Sequence, residues 1–292
     1  MGGGEAGGDR CRWRDRAVSL PVVDLVYSGG GTLVVCEIGA HARILESRRV
    51  ARIAGTSAGA IIACAHAFGV SPPGMRSIAG EIFGARPILD RAWPWRWRPR
   101  FGIHKGDKIL RLLRAHFPRK MGEARIPWGC FAYDLDYRRA VYFSSLSHPD
   151  MPAADVVRAS LSIPAFFKAV RLPGCGDRLF IDGGLTANEP FDVFDDVPGR
   201  ATLGVRFRAG DDHTPRRVGS SIDYVRSLLS GVYGAANAAH VSAKQWARVI
   251  QIETAGDSLD FSLSPSDLDR LHADGYQSAS AYFERTDGNG AG

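Results

Sequence analysis

The apolar positions of this chain fall into short blocks that alternate between strand and helix periods. Val22-Val23-Asp24-Leu25-Val26-Tyr27 is a nearly unbroken apolar run, the pattern of a strand buried on both faces. Ser28-Gly29-Gly30-Gly31-Thr32 follows, and then a helical pattern from Leu33 to about Glu46. A second apolar run, Val50 to Ala54, leads through Gly55-Thr56-Ser57-Ala58-Gly59 into small apolar residues that read as a helix to about Phe68, ended by Gly69. Ser71-Pro72 opens another helix through about Phe83, and Lys108–Phe117 carries Ile109, Leu112 and Leu113 on one helical face. Two strands follow at Trp128–Leu135 and Ala140–Phe143, then a short helix at Ala153–Ser160 that Ile163-Pro164 closes. Phe166–Leu172 and Arg178–Ile181 read as a hairpin. Ala201–Phe207 and Arg248–Glu253 read as strands, and Ile222 to about Trp246 and Pro265–Glu284 as helices. Strands that alternate with helices in this way predict an α/β fold. Residues 17–285 are expected to form one domain, with residues 1–16 a disordered tail and 286–292 a flexible one.

Composition narrows the class. The chain has 292 residues, 45% of them apolar, which suffices for one large core. A formal charge of +6 is mildly basic and suits an anionic surface, but no nucleic-acid motif accompanies it. The five cysteines are scattered, odd in number and form no C-x-x-C pair, which argues against a disulfide framework and a zinc site and fits a reducing compartment. Cys36 and Cys64 lie in apolar runs and are expected to be buried. No apolar run reaches the length of a membrane span, and the glycine-rich, then charged N-terminus lacks the apolar core of a signal peptide. The expectation is a cytoplasmic protein. The stretch 85–101 breaks the pattern: it has no helical period and interleaves Trp93, Trp95 and Trp97 with arginines. Such a segment suits a membrane interface, where indoles sit at headgroup level and cations meet anionic lipid, and equally suits a lid packed over the domain.

Three polar stretches carry candidate chemistry. Gly55-Thr56-Ser57-Ala58-Gly59 places a serine at a sharp strand-to-helix turn, the G-x-S-x-G setting of a nucleophile elbow, although such a serine can also serve merely as a helix N-cap. Gly29-Gly30-Gly31 puts backbone amides at a helix start, which suits an anion: a phosphate, an oxyanion, or only a tight turn. Neither a G-x-x-x-x-G-K-[ST] nor a G-x-G-x-x-G pattern is present to favour a nucleotide. Asp182-Gly183-Gly184 sets a carboxylate at a strand end, which reads as an Asx turn or as a group exposed to another loop. Asp134 and Asp136 form an acidic pair without a third ligand at metal spacing, so hairpin polarity accounts for them, and no metal or cofactor is expected.

Taken together and in this order, the chain resembles the patatin-like phospholipases. Ser28-Gly29-Gly30-Gly31, Gly55-Thr56-Ser57-Ala58-Gly59, Arg158-Ala159-Ser160-Leu161-Ser162-Ile163-Pro164 and Asp182-Gly183-Gly184-Leu185 carry the resemblance, with Leu263–Tyr276 fitting the family's last helix. The resemblance covers about residues 20 to 285. It implies a three-layer fold, a mostly parallel central sheet flanked by helices. It also implies a lipid acyl hydrolase of the phospholipase A or lysophospholipase type that works through an acyl-enzyme. Ser57 would be the nucleophile and Asp182 its base. The amides of Gly29, Gly30 and Gly31 would form the oxyanion hole, and Gly55, Gly59, Gly183 and Gly184 would support the motifs. The partners implied are a lipid substrate and a membrane surface. Leu33 departs from the pattern, because the family often places Lys or Arg there.

Two other readings compete. An α/β-hydrolase triad would join Ser57 and Asp182 to His213, His240 or His272. A non-catalytic membrane-binding module would instead place function in the Trp93–Arg100 segment. The sequence leaves the oligomeric state, acyl chain and headgroup open.

Overall fold

A computed structural model describes residues 20–84, 88–90, 101–208, 218–219, 223–224, 227–228, 231–232, 248–256 and 258–288. Its centre is a seven-stranded sheet. The main path runs β5 (Arg139–Ser144), β4 (Trp128–Asp134), β2 (Arg49–Thr56), β1 (Val22–Tyr27), β8 (Ala201–Phe207) and β9 (Val249–Ile252). The β4–β2, β2–β1, β1–β8 and β8–β9 pairs are parallel, and only β5 and β7 (Phe180–Asp182) pair antiparallel, both with β4. Helices α1 (Val34–Leu45), α2 (Ala58–Ala67), α3 (Pro72–Phe83), α4 (Asp107–His116), α5 (Ala153–Ser160), the short α6 (Gly184–Ala187) and α7 (Pro265–Gly288) complete the described elements with β3 (Gly102–His104) and β6 (Ala165–Phe167). The architecture is the α/β class that the alternating pattern predicts, with the mostly parallel sheet and flanking helices that the resemblance implies.

β1 is buried on both faces because parallel strands need cover on each side. Leu25 and Tyr27 join the main core with α1 and α2, while Val26 on the opposite face joins Ala54, Phe191, Phe194 and Val249. Asp24 is the polar exception in β1. It is fully buried, but Arg52 on β2 reaches it at 2.7 Å and Arg200 at 3.6 Å, so the charge is paired. Cys36, Cys64 and Cys130 are buried free thiols.

Three expectations need correction. The hairpin read at Phe166–Ile181 reduces to a single antiparallel bridge, Val170 with Phe180. Residues 165–167 instead pair in parallel with β3, and β7 pairs with β4. The final helix runs to Gly288, so Thr286–Gly288 are helical rather than a flexible tail. Arg48 holds Asp287 at 2.7 Å, and Thr286 Oγ1 donates to the Tyr282 carbonyl, which closes the last turn. The strand before the elbow also extends to Thr56, so the turn is confined to Ser57. The tail 1–16, the indoles of Trp93, Trp95 and Trp97, and most of the predicted helix 222–246 lie outside the described residues. Among the described residues no helix is long and apolar enough to cross a membrane.

Candidate active site

The register of β4 brings the site together. Its first half pairs with β2, as far as Thr56 opposite Phe131. Where β2 stops, β7 takes over the same edge of β4 from the opposite direction, with Asp182 opposite Ala132. The ends of β2 and β7 therefore meet head to head along one track. The residue after Thr56 is Ser57, and its Oγ donates to Asp182 Oδ2 at 2.5 Å. Both groups are nearly excluded from solvent, Ser57 at 5% and Asp182 at 1% exposure.

Ser57 has φ 51° and ψ −121°, a left-handed conformation that costs a non-glycine residue about 1–3 kcal/mol. The elbow holds it there because α2 begins at the next residue. Gly59 lets that first turn press onto the end of β1: a Cβ at Gly59 would lie 2.6 Å from the Ser28 carbonyl oxygen. Gly55 and Gly183 sit in comparably close backbone contacts, with Gly59 and Phe131 respectively. Gly184 donates its amide to Asp182 Oδ1 at 2.7 Å.

The Arg158–Pro164 stretch clamps both groups from beneath. Ser160 Oγ accepts the Ser57 amide at 2.8 Å and donates to the Phe131 carbonyl at 2.6 Å. The Ser162 carbonyl accepts the Asp182 amide at 3.0 Å. Arg158, itself buried, donates to Ser162 Oγ and to the carbonyls of Lys105 and Gly106, which ties the clamp to the start of α4. Ser160→Ala is expected to strand two buried backbone groups at the elbow and lower stability by about 1–3 kcal/mol, read as a reduced denaturant midpoint at unchanged slope. A midpoint equal to wild type would show that Ser160 does not hold the elbow.

Burial pushes the Asp182 carboxyl up to about 7, against the opposing pull of the hydrogen bonds from Ser57 and Gly184. That value suits a group that must take a proton and return it near neutral pH. No histidine among the described residues hydrogen-bonds Ser57 or Asp182. His272 lies on α7, its backbone carbonyl against Gly39 of α1, and His213 and His240 lie outside the described residues. Among the described residues no group of three His, Cys, Asp or Glu side chains is placed to hold a metal ion. Asp134 accepts the amides of Asp136 and Tyr137 and pairs with Arg178 at 2.9 Å, so the acidic pair serves its hairpin.

The glycine loop lies beside the elbow. The Ser28 amide donates to the Val205 carbonyl at 3.0 Å, and its hydroxyl to the buried Glu37 at 3.1 Å. Gly29 donates its amide at 3.1 Å to the side-chain oxygen of Asn188, a residue that the sequence motifs did not single out. Gly30 is roofed by the Phe207 ring, and Gly31, at φ 57°, opens the turn into α1. Among the described residues the amides of Gly30 and Gly31 meet no acceptor. Leu33 packs toward Gly256 and the core, so the position that departs from the family pattern is used for packing. Glu189, next to Asn188, is buried with Arg206 at 3.1 Å, a charge contact without hydrogen-bond alignment. Burial raises the Glu189 carboxyl to about 7 against the pull of Arg206. No spacing rule marks Asn188, because its role arises from a contact across 159 residues.

Comparison with known proteins bears on the whole arrangement. The Bacillus subtilis protein YqhO is 30% identical over 252 residues, covering 78% of this chain and 86% of its own length. The R571 protein of Acanthamoeba polyphaga mimivirus is 28% identical over 278 residues, covering 88% of this chain and 92% of its own. Among solved structures, VipD from Legionella pneumophila superposes with a TM-score of 0.60 over 90% of this chain and 67% of its own, at 14% identity, a likeness of fold. The sequence model described as patatin-like phospholipase matches residues 25–195, a span that takes in the glycine loop, the elbow, the serine clamp and Asp182. With more than half its length matched, the chain belongs to the patatin-like phospholipase family, a family of lipid hydrolases.

Proposed function

We propose that the protein hydrolyses acyl esters of lipids through an acyl-enzyme on Ser57, with Asp182 as the sole general base. The observation that carries this reading is the 2.5 Å bond from Ser57 Oγ to a buried carboxylate at a strained strand-to-helix turn. A serine hydroxyl needs a base within hydrogen-bond reach, and Asp182 has no intermediary to relay through.

Ser57 Oγ attacks the ester carbonyl as its proton passes to Asp182, and the carbonyl oxygen becomes an oxyanion. The tetrahedral intermediate collapses, the ester C–O bond breaks, and Asp182 returns the proton to the departing alcohol, a lysolipid or glycerol derivative. Water then attacks the acyl-enzyme with its proton taken by Asp182. The second intermediate expels Ser57 Oγ, which recovers that proton, and a fatty acid leaves. Backbone amides of the glycine loop offset the oxyanion charge in both halves. Trp93, Trp95 and Trp97 are proposed to seat the protein at the lipid surface, where indoles and arginines partition favourably.

A fluorophosphonate probe tests the reading directly. It should form one covalent adduct per chain, located at Ser57 by peptide mass spectrometry. The labelling rate should rise about tenfold per pH unit below about 7 and level off above it, because only ionised Asp182 can accept the serine proton. Ester turnover with the adduct on another residue, or labelling that falls as pH rises through 7, would overturn it.

A further inference from the structure

The Asn188–Gly29 contact rearranges the oxyanion site. A backbone N–H can only donate, so the Asn188 atom facing Gly29 at 3.1 Å is its carbonyl oxygen, and the amide nitrogen must face the other way. Asn188 is about nine-tenths buried. Its Nδ2 nevertheless has no acceptor among the described residues, and it is not one of the polar atoms sealed inside the protein. The nitrogen therefore reaches solvent from an otherwise buried side chain, where it is open to the acceptor of a bound ligand.

The position of that amide is set from three directions. Thr56 Oγ1, one residue before Ser57, donates to the Ala187 carbonyl at 2.8 Å. Glu189, one residue beyond, is fixed by the buried Arg206 at 3.1 Å. Gly29 supplies the third contact, and its missing side chain makes room: a Cβ there would lie 2.4 Å from Asn188 Oδ1 and 3.1 Å from Ser57 Cβ. The Asn188 amide and the Ser57 side chain thus flank the same glycine.

We propose that Asn188 is a catalytic residue, its Nδ2 donating to the substrate oxyanion beside the amides of Gly30 and Gly31, while Gly29 holds the Asn188 carbonyl. The inference rests on the Ser57 acyl-enzyme reading and changes its oxyanion site from three glycine amides to two plus a side chain.

The two possible roles of Asn188 predict opposite orders of damage. Asn188→Asp keeps the acceptor for Gly29 but replaces the donor. Asn188→Ala removes both and frees the Gly29 amide to serve in its place. With the purified full chain and a p-nitrophenyl acyl ester, Asn188→Asp should lower kcat by about 10²–10³-fold, with KM within about threefold of wild type. Asn188→Ala should lower kcat by only about tenfold. A role confined to holding the loop gives the reverse order, with Asn188→Asp near wild type, and that result overturns the proposal.

A second measurement covers the event that Asn188→Asp fails to fold or acts through its charge alone. A trifluoromethyl ketone adds to the serine as a hemiketal oxyanion, so its Ki against Asn188→Ala should rise by the factor by which kcat/KM falls. An unchanged Ki overturns the proposal. Loss of the Ser57 adduct in the wild-type protein would instead mark failure of the underlying acyl-enzyme reading, independently of Asn188.

Discussion

Asp182→Asn is expected to lower ester hydrolysis by about 10³–10⁴-fold while making the protein more stable at alkaline pH. The loss follows from chemistry. An amide cannot accept the Ser57 proton, and no histidine among the described residues stands by to replace it. The gain follows from burial. Folding raises the Asp182 carboxyl from its ordinary 3.8 to about 7, so the folded state favours the protonated form. The stability this group contributes is fully present below about pH 4 and is lost as pH rises through 7, where the fold must hold a buried charge. A displacement of that size corresponds to roughly 4 kcal/mol. Asparagine avoids the charge: its oxygen can still accept from Gly184, and its nitrogen can donate to Ser57 Oγ. Denaturant midpoints of the two proteins should therefore lie closest near pH 4, diverge up to about pH 7 and then run parallel, with the variant higher. Equal midpoints at pH 8 would show that Asp182 is not held against its ionisation. A variant that retains activity would show that it is not the base.

The same residue illustrates how far a sequence can carry such a site. Asp182-Gly183-Gly184 could be placed at a strand end from its residues alone, yet its partnership with Ser57 depends on which edge of β4 that strand occupies. The local pattern pairs residues 178–181 with 166–172, its nearest apolar neighbours. In the folded protein β4 extends beyond the end of β2, leaving a free edge that β7 fills. Residues 165–167 then pair with β3, more than sixty positions earlier, and two three-residue strands leave no periodicity to read. Elements whose signal is local were legible: the apolar run of β1, the small-residue helix after Ser57, and α5, whose limits match the expected Ala153–Ser160. Buried polar residues were not. Glu37, Glu189 and Arg206 look like solvated charges in a linear chain, yet all three are interior in the fold. Asn188 belongs with them, since nothing within ten residues of it identifies its partner as Gly29. Leu33 shows the converse. Its apolar character marks a departure from the family pattern, and the structure explains it through its approach to Gly256 and its packing against the core.

Ser57 itself allows mechanism and strain to be separated. Ser57→Ala and Ser57→Gly both remove the nucleophile, and both should lower hydrolysis by at least about 10⁴-fold, since the acyl-enzyme cannot form without the hydroxyl. Both also leave Asp182 without its hydroxyl partner, so that effect cancels between them. What differs is the backbone. Alanine must adopt φ 51° and ψ −121° against the same Cβ repulsion that serine meets, whereas glycine reaches that region freely. Relief of about 1–3 kcal/mol of strain is offset by glycine's larger entropy in the unfolded chain, roughly 0.5–1 kcal/mol. Ser57→Gly should therefore be the more stable of the two by about 1 kcal/mol, a difference that paired denaturant curves at one pH can resolve. An alanine variant at least as stable as the glycine variant would mean that the elbow carries no strain. Appreciable turnover by either would move the nucleophile elsewhere. If both are inactive and glycine is the more stable, the serine occupies a position that the fold would rather give to glycine, and the proposed chemistry, which needs a hydroxyl projecting from that turn, accounts for the serine there.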